Sequence, residues 1–253
     1  MIGAGNLATQ LALAMKRNGI RVVQVYNRTP GNGKLLAKKL GAAFVPDPSE
    51  ITGNADLYVL SVSDKAISQV AQMLSVNNHL VIHTSGSVNM DALLPASNRV
   101  GVWYPLQTFS KLRRISFRGI PVCVESNQLD DLQLLMELGK TLSGDVHVID
   151  SKQRKIIHMT AVFANNFTNF MYTIAEDLLR RHNIPFDLLK PLILQTAENA
   201  ECEALFSQQT GPAIREDQAV MNEHLGMLAQ HAVYMEIYDL ISKSIIKYKN
   251  ANG

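Results

Sequence analysis

Within its first ten residues the chain carries Gly3-Ala4-Gly5-Asn6-Leu7-Ala8, a G-x-G-x-x-A pattern that runs directly into an amphipathic stretch. Few short patterns restrict a fold so tightly. Gly3 permits a tight strand-to-helix turn, Gly5 lets the backbone approach a pyrophosphate, and Ala8 lets the helix lie close against a sheet. The free amides at the helix start then face the phosphates. Gly3, Ala4, Gly5, Asn6, Leu7 and Ala8 are therefore a first group of candidate cofactor contacts.

The pattern is weak alone and gains force from the next segment of the chain. A β-rich run over 22–26 ends in Tyr26-Asn27-Arg28-Thr29, where a second strand is expected. Proteins that bind NAD usually place Asp or Glu at this point to hold a ribose 2′-hydroxyl. Here the residue is Asn27, and a carboxylate that would repel a 2′-phosphate is missing. Arg28 and the Thr29 hydroxyl can hold such a phosphate by charge-assisted hydrogen bonds. Asn27, Arg28 and Thr29 thus predict NADP(H) rather than NAD(H); the alternative is an Arg28 that simply faces solvent.

Further β-rich runs at 43–45, 57–62, 80–83, 100–103, 122–125 and 146–149 alternate with helical stretches at 7–18, 34–40, 65–74 and 129–142. Such alternation describes a parallel sheet wrapped by crossover helices. Gly19, Gly41 and Gly144 stand where helix C-caps are wanted. Residues 1–150 are accordingly read as a doubly wound α/β Rossmann domain that binds NADP. Only Met1 and Ile2 precede the first glycine, so either the start is late or the central strand is unusually short at its most buried position. Ser61, Val62 and Ser63, with Thr84, Ser85 and Gly86, follow apolar strands and are expected at the cofactor cleft. Ordinary capping and turn formation is the competing role for these hydroxyls.

Beyond residue 150 the β-rich runs stop, and 151–253 reads as an all-helical substrate and dimerisation domain. Helices are expected over 151–182, 186–207 and 224–249, with Asn183-Ile184-Pro185 and Thr210-Gly211-Pro212 as breaks. At about 100° per residue, His158, Val162, Asn165, Asn169, Tyr172 and Glu176 share one stripe of the first helix. His158 can give a proton to a carbonyl or imine as hydride arrives, and Asn165 can fix the polar end of a substrate, with Asn169 beside it. Equally, these groups can be satisfied polar contacts between helices or subunits. Gln107, after Tyr104-Pro105-Leu106, can face substrate unless Pro105 merely redirects the chain. Arg215 can anchor a carboxylate through its forked guanidinium, or pair with Glu216 or Asp217.

Composition narrows the partners. With 47% hydrophobic and 18% charged residues the chain belongs among globular proteins. A net charge of +2, with short clusters at 111–114 and 243–249 that read as solvated faces, argues against nucleic acid. No apolar run reaches the roughly 18 residues of a membrane span, and no secretory leader pattern opens the chain. Cys123 and Cys202 match neither a C-x-x-C motif nor a metal-ligand spacing, so no metal and a reducing, cytoplasmic setting are expected. The Asn-x-Thr triplets at Asn27 and Asn166 are then not glycosylation sites.

The glycine turn, Tyr26 to Thr29, His83-Thr84-Ser85-Gly86-Ser87, Tyr104 to Phe109, His158 with Asn165-Asn166-Phe167, and Thr210 to Arg215 span almost the whole chain. With these motifs the sequence resembles a family of Rossmann-like proteins assigned as NADP oxidoreductases. More distantly it is similar to pyrroline-5-carboxylate reductases and β-hydroxyacid dehydrogenases, a likeness that implies a helical, often dimer-forming C-terminal domain. The β-hydroxyacid dehydrogenases carry a Lys one helical turn before an Asn. With Asn165 in the Asn position, the Lys position here is Ala161, and their usual proton donor is missing. Pyrroline-5-carboxylate reductases have a His followed by Thr and small residues, which His158-Met159-Thr160-Ala161 partly echoes. Their glycine-rich continuation is replaced by Phe163-Ala164-Asn165-Asn166.

The expected activity is NADP(H)-dependent hydride transfer to or from a small carbonyl, hydroxy or imine compound. A non-catalytic dinucleotide-binding or sensor protein is the alternative, and Ala161 is compatible with it. Apolar residues around much of helix 151–182, including Ile156, Met159, Phe163, Phe167 and Phe170, and along 224–249 must be covered on several faces. A homodimer through the helical domains is the predicted assembly.

Overall fold

The computed structural model describes residues 1–111, 115–201 and 205–252. Leu112, Arg113 and Arg114 of the first basic cluster, and Cys202, lie outside them. The chain divides into two compact units, Met1–Ala164 and Asn165–Gly253.

In the first unit α1 (Asn6–Arg17) leads to β1 (Gln24–Tyr26), α2 (Pro30–Leu40), β2 (Ala43–Val45), β3 (Leu57–Leu60), α3 (Asp64–Met73) and β4 (Leu80–His83). β5 (Arg99–Pro105), β6 (Val122–Ser126), α4 (Leu129–Leu142), β7 (Val146–Val148) and α5 (Ser151–Ala161) come next. β1 pairs with β2, and β3 to β7 lie side by side in chain order. The pairing is parallel except between β5 and β6.

The two sets of strands are joined by Ile2, which bridges Tyr26 on one side and Leu60 on the other. Its amide donates to the Val59 carbonyl at 2.8 Å and its carbonyl accepts from the Ser61 amide at 2.8 Å. Gly3 donates to Tyr26, and Tyr26 to Met1, at 2.8 and 3.0 Å. Ile2 is buried at the centre of the sheet, in the strand position that precedes the glycine turn.

Alternation along the strands explains why helices cover both faces. Tyr58, Leu60 and Val81 pack with Ile67, Val70 and Ala71 of α3. Val59, Leu80, Ile82 and Val124, turned the other way, pack with Leu11, Ala14 and Met15 of α1 and Leu135 and Leu138 of α4. A strand covered on both faces is apolar at every position, as Leu80-Val81-Ile82 is. Gly19, Gly41 and Gly144 adopt positive φ of 79°, 73° and 91°, the left-handed geometry expected of residues that end helices.

In the second unit, α6 (Thr168–Arg181), α7 (Lys190–Glu198), α8 (Pro212–Arg215), α9 (Gln218–Met227) and α10 (Ala232–Asn252) form a helical region. The helix expected over 151–182 is not uniform: a π-helical turn over Val162–Phe167 separates α5 from α6. A π turn does not keep the constant 100° step at which the stripe from His158 to Glu176 was counted. Asn165 and Asn166, weak helix formers, lie inside that turn. The helix expected over 186–207 starts instead at Lys190, where Pro191 occupies a first-turn position that needs no amide donor. That over 224–249 breaks between Met227 and Ala232, where the amides of Leu228 and Ala229 close the end of α9.

His83, at the end of β4, is fully buried. Its Nδ1 accepts from the Ser85 amide at 3.2 Å, and its Nε2 lies 3.4 Å from the Asn89 carbonyl oxygen. Burial, and next the neighbouring Arg154 cation, push its pKa down from 6.5 to about 4. Its folded pKa lies below its unfolded one, so the unfolded chain binds more protons between these values and stability falls as pH drops from 6.5 to 4. The contribution is on the order of 3 kcal/mol. Urea midpoints at pH 7 and 4.5 should fall less for His83→Gln than for the parent chain; an equal fall in both contradicts the assignment.

Candidate functional site

Gly3 adopts a positive φ of 112°. A Cβ there would lie 2.2 Å from the Ser61 carbonyl oxygen, so no other residue lets the turn pass so close to the end of β3. Gly5 is the N-cap of α1, and nothing lies within 4 Å of where its Cβ would be. Without a side chain it leaves the first-turn amides of α1 uncapped and open to an anion. Ala8, fully buried, completes the close packing.

This turn borders a cavity of about 680 Å³ lined entirely by residues of the first unit. Gly3, Ala4, Gly5, Leu7 and Ala8 form one wall, and Asn27, Arg28 and Thr29 another. Ser61, Val62 and Ser63, then Thr84, Ser85 and Gly86, continue it along the ends of β3 and β4. Strand order sets Arg28 on one flank of the glycine turn and Thr84, Gly86 and Tyr104 on the other. A cavity of this size at the carboxyl ends of parallel strands has the position and capacity of a dinucleotide site. Asn6 departs from expectation. It is absent from the cavity wall, and its Nδ2 donates to the Phe109 carbonyl at 3.0 Å.

Asn27 occupies the predicted place in an unpredicted way. Its Oδ1 accepts from the Ala4 amide at 2.9 Å and its Nδ2 donates to the Thr29 carbonyl at 2.7 Å. One amide thereby ties the glycine turn to the end of β1. An aspartate could accept from Ala4 but not donate to Thr29. Arg28 is exposed at the cavity rim, and the Thr29 side chain makes no capping bond to α2. Both remain available to a ligand.

The hydroxyls at the other strand ends have local partners. Thr84 donates to Ser61 at 3.1 Å. Ser85 Oγ accepts from the amides of Ser87 and Val88, each at 3.1 Å, which is the turn-forming role set against the ligand role. Ser87 in turn donates to the Asp64 carboxylate at 2.6 Å.

His158 stands on the cavity wall with Tyr104. The Tyr104 hydroxyl lies 3.3 Å from His158 Nδ1, and the rings meet edge to face. Gly86 makes this possible. A Cβ on it would lie 2.7 Å from His158 Nδ1 and 2.8 Å from Tyr104 Cζ. The rotation of α5 that presents His158 is set one turn earlier by Arg154, which is fully buried. Arg154 forms an ion pair with Glu125 and donates to the Val88 carbonyl at 2.6 Å and the Ser151 hydroxyl at 3.0 Å. Glu125 also accepts from the Ser151 amide and hydroxyl at 3.0 and 2.7 Å. Residues four apart share a helix face, so this anchor fixes His158 toward Gly86.

Gln107 lies outside the cavity. It is exposed, and its Oε1 accepts from the Thr108 amide at 2.8 Å. Asn165 is the first residue of the second unit. Asn169 lines a separate pocket of that unit with Tyr172, Glu176 and Lys190. Arg215 is exposed at the end of α8, and Glu216, one of its two expected partners, pairs with Lys249 at 2.9 Å. Sequence reasoning missed Tyr104 as a wall residue and Arg154 as the anchor. The spacing of Arg154 four residues before His158 was the available signal. Among the described residues no cluster of His, Cys, Asp or Glu could hold a metal.

Fold and cavity together define a Rossmann-type dinucleotide-binding protein. Residues 1–86 match the family model described as NADP oxidoreductase, coenzyme F420-dependent, and residues 120–245 match a domain of unknown function (DUF2520). A solved candidate NADP oxidoreductase from Bacteroides fragilis is 42% identical over 97% of this chain and 96% of its own, with a TM-score of 0.91. The chain belongs to the Rossmann-like NADP oxidoreductase family that this protein represents. The same fold is found in an imine reductase from Myxococcus stipitatus solved with NADP⁺, at 16% identity, 99% and 93% coverage and a TM-score of 0.67. It also appears in a pyrroline-5-carboxylate reductase from Coxiella burnetii, at 19% identity, 99% and 96% coverage and a TM-score of 0.59. No curated protein matches the chain.

Proposed function

We propose that this protein is an NADP(H)-dependent oxidoreductase acting on a small carbonyl, hydroxy or imine compound. The observation that carries this reading is the single cavity in which the glycine turn, an exposed Arg28 at a strand end with no carboxylate, and the Tyr104–His158 pair occur together. Residues 1–150 are the NADP-binding domain in this reading and 151–253 the substrate and dimerisation domain. When bound, the dihydronicotinamide supplies hydride. The chain's own residues bind and orient: the uncapped amides of α1 take the pyrophosphate, and Arg28 and Thr29 take the 2′-phosphate. Asn27 holds these two groups in register. Ser61, Val62, Ser63, Thr84, Ser85 and Gly86 border the remainder of the ligand.

His158 is assigned to proton transfer and Asn165 to fixing the polar end of the substrate. Asn169 and Arg215 carry groups suited to the polar ends of a substrate, and substrate contact is proposed for them; Gln107 is the weakest member of that set, being turned to solvent. Neither nucleic acid nor membrane is a proposed partner. No helix among the described residues is long and apolar enough to cross a membrane. A cytoplasmic location is proposed on the cysteine usage, Cys123 being a free thiol in the core.

Replacing Arg28 by Ala removes a charged hydrogen bond worth on the order of 1.5–3 kcal/mol. NADPH affinity should then fall by roughly ten- to a hundredfold, with NADH affinity nearly unchanged. Calorimetry with both cofactors checks this, and equal losses would show that Arg28 does not read the 2′-phosphate.

A homodimer is proposed on the surface of the helical unit, where among the described residues only Ala213, Met221 and Leu228 are buried hydrophobics. Leu192, Leu194 and Leu240 are each about two-thirds exposed (64%, 64% and 66%). Met171, Ile174, Leu178, Ile237 and Ile241 line an apolar groove in the same unit. These exposed apolar side chains support the reading, because a soluble chain covers a large contiguous apolar patch. Light scattering at micromolar concentration should give twice the 28.0 kDa of one chain; a single-chain mass that persists on concentration would sink the dimer.

A further inference from the structure

We propose that Tyr104 is the group that hands the substrate its proton, with His158 behind it as the reservoir. The inference rests on the NADP(H) reading and adds a named donor to it. Tyr104 sits on β5, on the flank of the glycine turn opposite Arg28, and lines the cavity. Trp103 before it points into the core and is fully buried, so strand alternation sends Tyr104 the other way.

Among the neighbouring hydroxyls, Thr84 donates to Ser61 and Ser87 donates to Asp64, while Ser85 Oγ accepts from the amides of Ser87 and Val88. The Tyr104 hydroxyl instead meets Nδ1 of His158, where Gly86 leaves room for both rings. Burial, first among several causes, raises the phenol's pKa in the chain without ligand; a phenol carries its proton at neutral pH with or without that shift, so the assignment as donor rests on the geometry. The ionisable neighbours are Arg154, which favours the phenolate, and Asp64 and Cys123, which oppose it, together with His158 itself.

In the direction of reduction, Tyr104 gives its proton to the oxygen or nitrogen of the substrate as the adjacent carbon gains hydride from the dihydronicotinamide. Protonated His158 returns a proton from Nδ1 to the phenolate oxygen and is recharged from solvent. The sum is one hydride and one proton added across the C=O or C=N bond, with NADPH converted to NADP⁺. Lysine is not needed for this route, which accounts for a tolerated Ala161.

The test is a titration of tyrosine absorbance in the full chain with and without saturating NADP⁺. A cation next to a phenol favours its ionised form, so NADP⁺ should lower the pKa of one tyrosine by about one unit or more. The shift should vanish in Tyr104→Phe while NADP⁺ affinity, measured by calorimetry, stays the same. On any member of a keto acid, aldehyde and cyclic imine panel that is reduced, Tyr104→Phe should lower kcat by about 10²- to 10⁴-fold and leave the KM for NADPH unaltered. A shift that persists in Tyr104→Phe, no shift with NADP⁺ bound, or an unchanged kcat overturns the proposal alone. Failure of the parent chain to bind NADP⁺ overturns the cofactor reading and this proposal together.

Discussion

The close approach of Gly3 to the carbonyl of Ser61 is the constraint on which the rest of the first unit depends. Ile2 stands at the centre of the sheet, with bonds to β3 on one side and a bridge to Tyr26 of β1 on the other. The chain must leave that residue at once and turn into α1, and the turn has room for no side chain at Gly3. Because it is so tight, α1 begins directly above the sheet, and its first amides open on the ends of β1, β3 and β4. The cavity borders this turn, and its glycine wall is placed by the same few bonds.

Two side-chain anchors carry the arrangement outward. Asn27 spans from the Ala4 amide to the Thr29 carbonyl, so the glycine turn and the strand end bearing Arg28 move as one piece. On the opposite flank, Arg154 and Glu125 join α5, β6 and the segment after β4. A fully buried guanidinium is costly unless its charge is paired and its donors are used, and here both conditions hold apart from Nε, which lacks a partner. His158 inherits its position from that anchor, and Tyr104 and Gly86 complete the pocket around it.

Much of this was legible in the sequence, because it follows from local steric rules. The glycine spacing announced the turn, and the absence of a carboxylate after Tyr26 announced Arg28. Apolar runs announced the strands. The features that were not legible depend on partners distant in the chain. The bond between Asn27 and the Ala4 amide was hidden because the two lie 23 residues apart, although Asn27 still lines the cavity where a ligand contact was expected. Asn6 read the same way, yet it bonds to Phe109, 103 residues away. Tyr104 was read only as the start of the segment that follows a strand and leads to Gln107, since nothing local reveals that α5 returns a histidine to its hydroxyl. The π turn over Val162–Phe167 was not legible either, because a periodicity count assumes a constant step along the helix.

The central claim is that the cavity beside Gly3 is the NADP site. A crystal structure of the full chain grown with NADP⁺ tests it most directly. The account predicts the pyrophosphate against the first-turn amides of α1, the 2′-phosphate held by Arg28, and the nicotinamide on the flank of Gly86, Tyr104 and His158. A cofactor bound elsewhere, or bound here with its 2′-phosphate away from Arg28, would contradict it.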